Sequence, residues 1–218
     1  MPLVLSGYYV ILAAFICGLI NWKYLSKPFR IATALCLIAF IFETLAWAIS
    51  MFYQSPNHWV YNIYVLLETW MLCIIISHLL IHSGRIIFAT AIALTVIWIY
   101  FIVTVGIKTL ANNFVIIKGL TFITLYIVLL IHTAKTESEF LKVPATWLSI
   151  ALVLFYAGTL PIMAIVNYLN RISVRDADTL YYITNVLCIL RYCFLSIAFI
   201  LSRKHPKNSR PYNLLGHD

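Results

Sequence analysis

The chain has 218 residues, 63% of them hydrophobic and only 10% charged. A soluble domain is about 45–50% apolar and about 25% charged, so this chain could not cover its own core with polar surface; a bilayer removes that conflict, because lipid becomes the outer solvent. The net charge of +8 does not indicate nucleic acid, since the basic residues lie between apolar runs, where they set membrane orientation.

Taken in order, seven segments approach the about 20 apolar residues that a crossing helix needs. They are Leu3–Ile20, Ile31–Met51, Trp59–Ile81, Ile86–Val105, Phe114–Ile131, Trp147–Ile165 and Leu180–Leu201. The expected fold is therefore all-α: a polytopic membrane protein, one seven-helix domain over residues 1–202 with a short basic tail over 203–218. The first segment has no basic residue before its apolar run and no small-residue cleavage site, so it reads as an uncleaved span rather than a signal peptide. The fourth carries no charge or amide and suits a mostly lipid-facing helix. The tail, with Pro206 and Pro211, reads as a disordered end able to touch anionic lipid heads.

Lys and Arg distribute unevenly over the connections. Ten fall on one side (Lys23, Lys27, Arg30, Arg85, Lys135, Lys142, Arg203, Lys204, Lys207 and Arg210) and three on the other (Lys108, Arg171 and Arg175). That bias places the C-terminus in the cytoplasm and the N-terminus outside, in a plasma or bacterial inner membrane. Trp22, Tyr24 and Trp147 fall at the inner boundary; Tyr53, Trp59, Tyr61, Tyr168, Tyr181 and Tyr182 fall at the outer one, as an aromatic belt. Five cysteines, Cys17, Cys36, Cys73, Cys188 and Cys193, all lie inside apolar segments without a CxxC pair, and read as small buried hydrophobes.

The third segment carries Asn62, Tyr64, Glu68, His78 and His82, and a carboxylate at membrane depth needs a partner. Helical residues seven apart share a face, which sets Cys36, Glu43 and Ser50 together on the second span, and Ser149, Tyr156 and Met163 on the sixth. The fifth span supplies Lys118; the seventh supplies Asn185, Arg191 and Tyr192 on a wide polar face. Two buried charges of each sign at similar depth should face inward and pair; the expected pairs are Glu68 with Arg191 and Glu43 with Lys118. The candidate ligand-binding set is Glu43, Glu68, Lys118, Tyr156 and Arg191, with Tyr64, Asn185 and Tyr192 nearby. Pro161 should interrupt the hydrogen-bond ladder of the sixth span and kink it, while Gly119 and Gly158 let helices approach closely.

His78, His82 and His132 form a weaker metal candidate: His78 and His82 are one turn apart on one face, but no carboxylate or Cys accompanies them at that depth, and helix-end histidines are ordinarily hydrated. The expectation is no metal and no other cofactor. The charged set admits three readings: a solvated pocket for a small polar or amphipathic ligand, as in a transporter or sensor; a clasp that fixes helix register in a structural subunit; and a membrane enzyme acting on lipid with Glu43 or Glu68 as general base. No nucleophile or metal motif supports the last. Expected partners are the lipid bilayer, such a ligand, and a second copy or another membrane protein.

Aligning the second span on the sixth pairs Ala32 with Ala145, Thr33 with Thr146 and Phe42 with Phe155; aligning the third on the seventh pairs Tyr61 with Tyr181 and Cys73 with Cys193. Seven spans, an external N-terminus and such a three-one-three repeat resemble the SWEET and PQ-loop transporter architecture. The likeness is one of topology: the first and fifth spans lack the proline those families carry there.

Overall fold

In the computed structural model, residues 2–53, 57–81, 83–172, 174–204 and 212–213 are described, with side-chain positions for 7–53, 57–80, 83–165, 180 and 182–204. His82 and most of the tail lie outside the described residues, as do the side chains of Asn167, Tyr168, Arg171, Arg175 and Tyr181. Among these residues seven α-helices follow in order: α1 (Pro2–Ile20), α2 (Lys27–Tyr53), α3 (His58–Leu79), α4 (Gly84–Val105), α5 (Asn112–Thr136), α6 (Pro144–Ile172) and α7 (Val174–Lys204). Six contain a stretch long and apolar enough to cross a membrane, and α1 adds a shorter apolar one over Gly7–Ile20. This is the architecture of a multi-pass helical membrane bundle.

The exterior supports that assignment. Phe52 is 74% exposed, Val103 78% and Ile86 69%, and large apolar side chains stand outward along every helix. A monomer in water rarely shows so much contiguous apolar surface; in lipid it is the ordinary exterior. Only Ile87, Ala91 and Leu94 of α4 are buried, as a lipid-facing helix requires.

Neighbours in sequence pack against each other: α1 on α2, α2 on α3, α3 on α4, α5 on α6 and α6 on α7. Helix α1 also packs on α7, and α3 touches α5 more lightly, so six helices form a ring with α4 outside it against α3 and α5. Small residues set the closest approaches. A Cβ on Gly18 of α1 would lie 2.4–2.9 Å from Thr33 of α2; one on Gly119 of α5 would lie 2.9 Å from Leu160, and one on Gly158 of α6 would lie 2.6 Å from Leu187 of α7.

Pro161 is inside α6 but does not end it: the helix runs on to Ile172. The proline removes one backbone donor at residue 161 without ending the helix. Helix α5 continues to Thr136, past the apolar stretch that ends at Ile131. Where the sequence suggests a wholly irregular tail, Tyr212–Asn213 make a two-residue parallel pairing with Leu80–Ile81.

The α4–α5 connection is pinned by Asn62. Its side-chain amide donates to the carbonyls of Ile107 and Thr109 at 2.8 and 2.9 Å, and its Oδ1 accepts from the Ala111 amide at 3.1 Å. Trp98 Nε1 donates to the backbone carbonyl of the same residue. Beside this clamp a small apolar cluster forms from Leu94, Ala111 and Phe114.

Candidate functional site

Glu68 stands halfway along α3 and is 3% exposed; Lys118 of α5 is 2% exposed and Arg191 of α7 is 4% exposed. Lys118 Nζ lies 2.5 Å from Glu68 Oε2, and Arg191 Nη2 lies 2.7 Å from Oε1. One carboxylate is thus shared between cations from two other helices. Helices α3 and α7 have little backbone contact, so the Arg191 side chain reaches across the ring interior to meet Glu68. A lysine six residues from the start of α5 has a stem long enough to carry its ammonium out to the interface; this one turns inward instead, because the carboxylate attracts it.

Aromatic rings surround the charges. Arg191 Cζ lies 4.7 Å from the Phe155 ring centroid and 5.5 Å from that of Tyr192, and Lys118 Nζ lies 5.3 Å from the Tyr156 centroid. Rings at these distances present their negative faces to a cation, so they soften its removal from water. Phe122 stacks on Tyr156 with centroids 5.9 Å apart. Tyr64, one turn before Glu68, donates its hydroxyl to Oε1 at 3.3 Å. Close helix packing places Tyr156: the missing Cβ at Gly119 is what lets α6 come near Lys118.

Hydrogen bonding at this centre is incomplete. Among the described residues the buried Arg191 Nε–H has no partner, and the buried Tyr156 hydroxyl lies close to the Glu68 carboxylate without a well-formed hydrogen bond. Glu68 engages one of the two adjacent guanidinium nitrogens that could grip a carboxylate together, because its second oxygen is turned to Lys118.

Of the two pairs expected from sequence, Glu68–Arg191 is present and Glu43–Lys118 is not. Lys118 bonds Glu68. Glu43, half-buried on α2, accepts at Oε2 from the Tyr61 hydroxyl at 3.1 Å, and Tyr8 of α1 donates to its backbone carbonyl at 3.2 Å. Among the described residues no Lys or Arg comes within 4.0 Å of the Glu43 carboxylate. The reason is competition: Glu68 is the more deeply buried carboxylate, so its desolvation is relieved by both cations, while Glu43 meets a phenol at its own boundary. Glu68, Lys118, Arg191, Tyr64, Tyr156 and Tyr192 therefore gather at one centre. Glu43 lies apart from them, and Asn185 is half-buried on α7 without a hydrogen bond to the charged triad.

Two residues escaped the sequence reading. Phe155, under Arg191, looked like any apolar residue of α6. Tyr61 has the sequence position of an aromatic-belt residue, yet it sits seven residues before Glu68 on the same face of α3 and turns to Glu43. A groove of about 240 Å³, lined by Tyr8, Tyr9, Leu12, Phe40, Thr44 and Trp47, opens between α1 and α2; it is apolar and separate from the triad. Among the described residues no group of three or more His, Cys, Asp or Glu is placed to hold a metal, so His78 and His132 are not drawn into one, and His82 lies outside the described set.

Comparison with protein-family models, with curated proteins and with solved structures finds no match to this chain.

Proposed function

We infer that the protein is an integral membrane module for binding or transporting a small ligand, with its working centre at Glu68, Lys118 and Arg191. The observation that carries this reading is the shared carboxylate: three ionised groups from three helices, buried inside a ring of helices, with donors left over. Ionisable groups at membrane depth are expensive, and where they persist they face the bundle interior and mark substrate or ion paths. Because the two cations compete for one carboxylate, a change at either can be answered by a shift of Glu68 towards the other. The proposed orientation has the N-terminus outside and the C-terminus in the cytoplasm, from the bias of Lys and Arg between connections.

The completeness with which both Glu68 oxygens are engaged favours a second reading, a dry clasp in a structural subunit. It also weighs against Glu68 as a general base, since neither oxygen is free to face a substrate. The two readings separate in reconstituted bilayers. A functional centre predicts saturable binding of a solute, with flux for a transporter and without it for a sensor, and loss of both in Glu68→Gln. A clasp predicts that replacing Glu68, Lys118 and Arg191 together by apolar residues of similar volume preserves the fold and every measurable behaviour, because buried ion pairs are often replaceable in that way.

A further inference from the structure

We propose that the triad is an anion site, and that the ligand presents a single carboxylate to Lys118 and Tyr156. The proposal rests on the ligand-binding reading above and names the ligand's charge.

Three observations converge on it. The triad carries two cations and one carboxylate within 2.5–2.7 Å, so one positive charge is left over at the centre. Glu43, which could have cancelled it, is bonded to Tyr61 instead. The unfilled hydrogen-bonding groups are donors or can act as donors: among the described residues the buried Arg191 Nε–H has no partner, and the buried Tyr156 hydroxyl, close to the Glu68 carboxylate, makes no well-formed hydrogen bond. Lys118 has three N–H bonds and uses one on Glu68. A centre with surplus positive charge and surplus donors is complementary to a group that is all acceptor and negatively charged, which describes a carboxylate.

The geometry also indicates how the hydrogen bonds are redistributed. Arg191 can bind a carboxylate through two parallel N–H bonds, yet Glu68 occupies only Nη2. When a ligand carboxylate takes the Lys118 ammonium, Glu68 Oε2 is released. It can then turn onto the empty Nε–H and complete the two-point pair with Arg191. The Tyr156 hydroxyl, on a ring whose centroid is 5.3 Å from Lys118 Nζ, supplies the ligand's second hydrogen bond. Charge is balanced afterwards: two carboxylates and two cations.

The test uses the full chain in nanodiscs of neutral phosphatidylcholine, titrated by calorimetry with formate, acetate, benzoate and decanoate, and with benzamide and decanamide as uncharged counterparts. The proposal expects saturable binding of at least one carboxylate, at least tenfold weaker binding of its amide, loss of binding in Lys118→Met, and a five- to tenfold weakening in Tyr156→Phe. The Tyr156→Phe variant guards against misfolding, because it removes one hydroxyl and leaves the ring that stacks on Phe122 in place. Equal binding of acid and amide overturns the proposal, as does no response to any of the four carboxylates, or a Tyr156→Phe variant that binds as wild type. Saturable binding of an amide or of a cation such as tetramethylammonium, lost in Glu68→Gln, would overturn the anion assignment while leaving the ligand-binding reading intact.

Discussion

Lys118 Nζ stands 2.5 Å from Glu68 Oε2 although each residue belongs to a different helix and neither is more than 3% exposed. With Arg191 on the other oxygen, Glu68 is the counter-charge for both cations. Glu68→Gln would leave two buried cations facing each other without an anion, and breaking a buried pair in this way costs about 3–5 kcal/mol. The variant should therefore unfold well below wild type in thermal melts monitored by tryptophan fluorescence in mild detergent. Adding Lys118→Met to it removes one of the opposed cations, so the double variant should be more stable than the sum of the two single losses. Strictly additive losses would mean that the two residues do not act on each other.

Asn62 gives a second prediction. A side-chain amide at that depth looks like a candidate ligand contact, but all of its side-chain bonds go to one connection: the carbonyls of Ile107 and Thr109 and the amide of Ala111. Asn62→Ala would strand those groups, each buried backbone group left unpaired costing about 1–3 kcal/mol less whatever water recovers. Amide hydrogen exchange over residues 106–112 should accelerate by at least an order of magnitude, with little change in α6 and α7. Unchanged exchange in that stretch would refute the clamp.

How much of this was legible in the residues follows from what each pattern encodes. Apolar length is additive along the chain, so seven helices in this order could be read; their limits could not, because α5 runs on to Thr136, α6 to Ile172 and α7 starts at Val174, each five to seven residues beyond an apolar stretch whose end the helix does not share. The requirement that buried charges be paired is also readable, and it brought Glu68 and Arg191 together. The choice among partners is not. Whether Lys118 meets Glu43 or Glu68 depends on which helices enclose the centre, and nothing local to α2, α3 or α5 specifies the ring order. The clamp at Asn62 and the ring under Arg191 were hidden for the same reason: a phenylalanine at residue 155 and an asparagine at residue 62 carry no signal of what lies opposite.

Glycine substitutions test the packing independently of the charges. At Gly18 an added Cβ would fall 2.4 Å from Thr33 Oγ1 and 2.9 Å from its Cβ. Thr33 is fully buried, β-branched and tied to the Phe29 carbonyl by a 2.9 Å hydrogen bond, so it has few rotamers to retreat into. At Gly7, eleven residues earlier on the same helix, nothing lies within 4 Å. Gly18→Ala should force α1 away from α2 and lower the melting temperature, by an amount on the order of 1–3 kcal/mol of overpacking, whereas Gly7→Ala should be neutral or slightly stabilising, since Ala is the better helix former by about 1 kcal/mol. Equal effects at the two positions would place the α1–α2 contact elsewhere.

Orientation can be settled with thiols, because the native cysteines are poorly placed for aqueous reagents. Cys36 and Cys73 are buried, Cys17 and Cys188 are half-buried, and Cys193, though exposed, stands midway along the apolar stretch Tyr182–Lys204, where a bilayer would cover it. Wild-type protein should therefore take up little membrane-impermeant maleimide. On a cysteine-free background, Lys108→Cys samples the α4–α5 connection and Lys142→Cys the α5–α6 connection, where the Lys142 side chain is 51% exposed and paired with Glu139 three residues away. The excess of Lys and Arg on one set of connections predicts labelling of Lys108→Cys in intact cells and of Lys142→Cys only after permeabilisation. The opposite pattern would invert the bundle and place the Lys118 end of α5 towards the cytoplasm. Any ligand for the triad would then have to be offered from that side in transport assays.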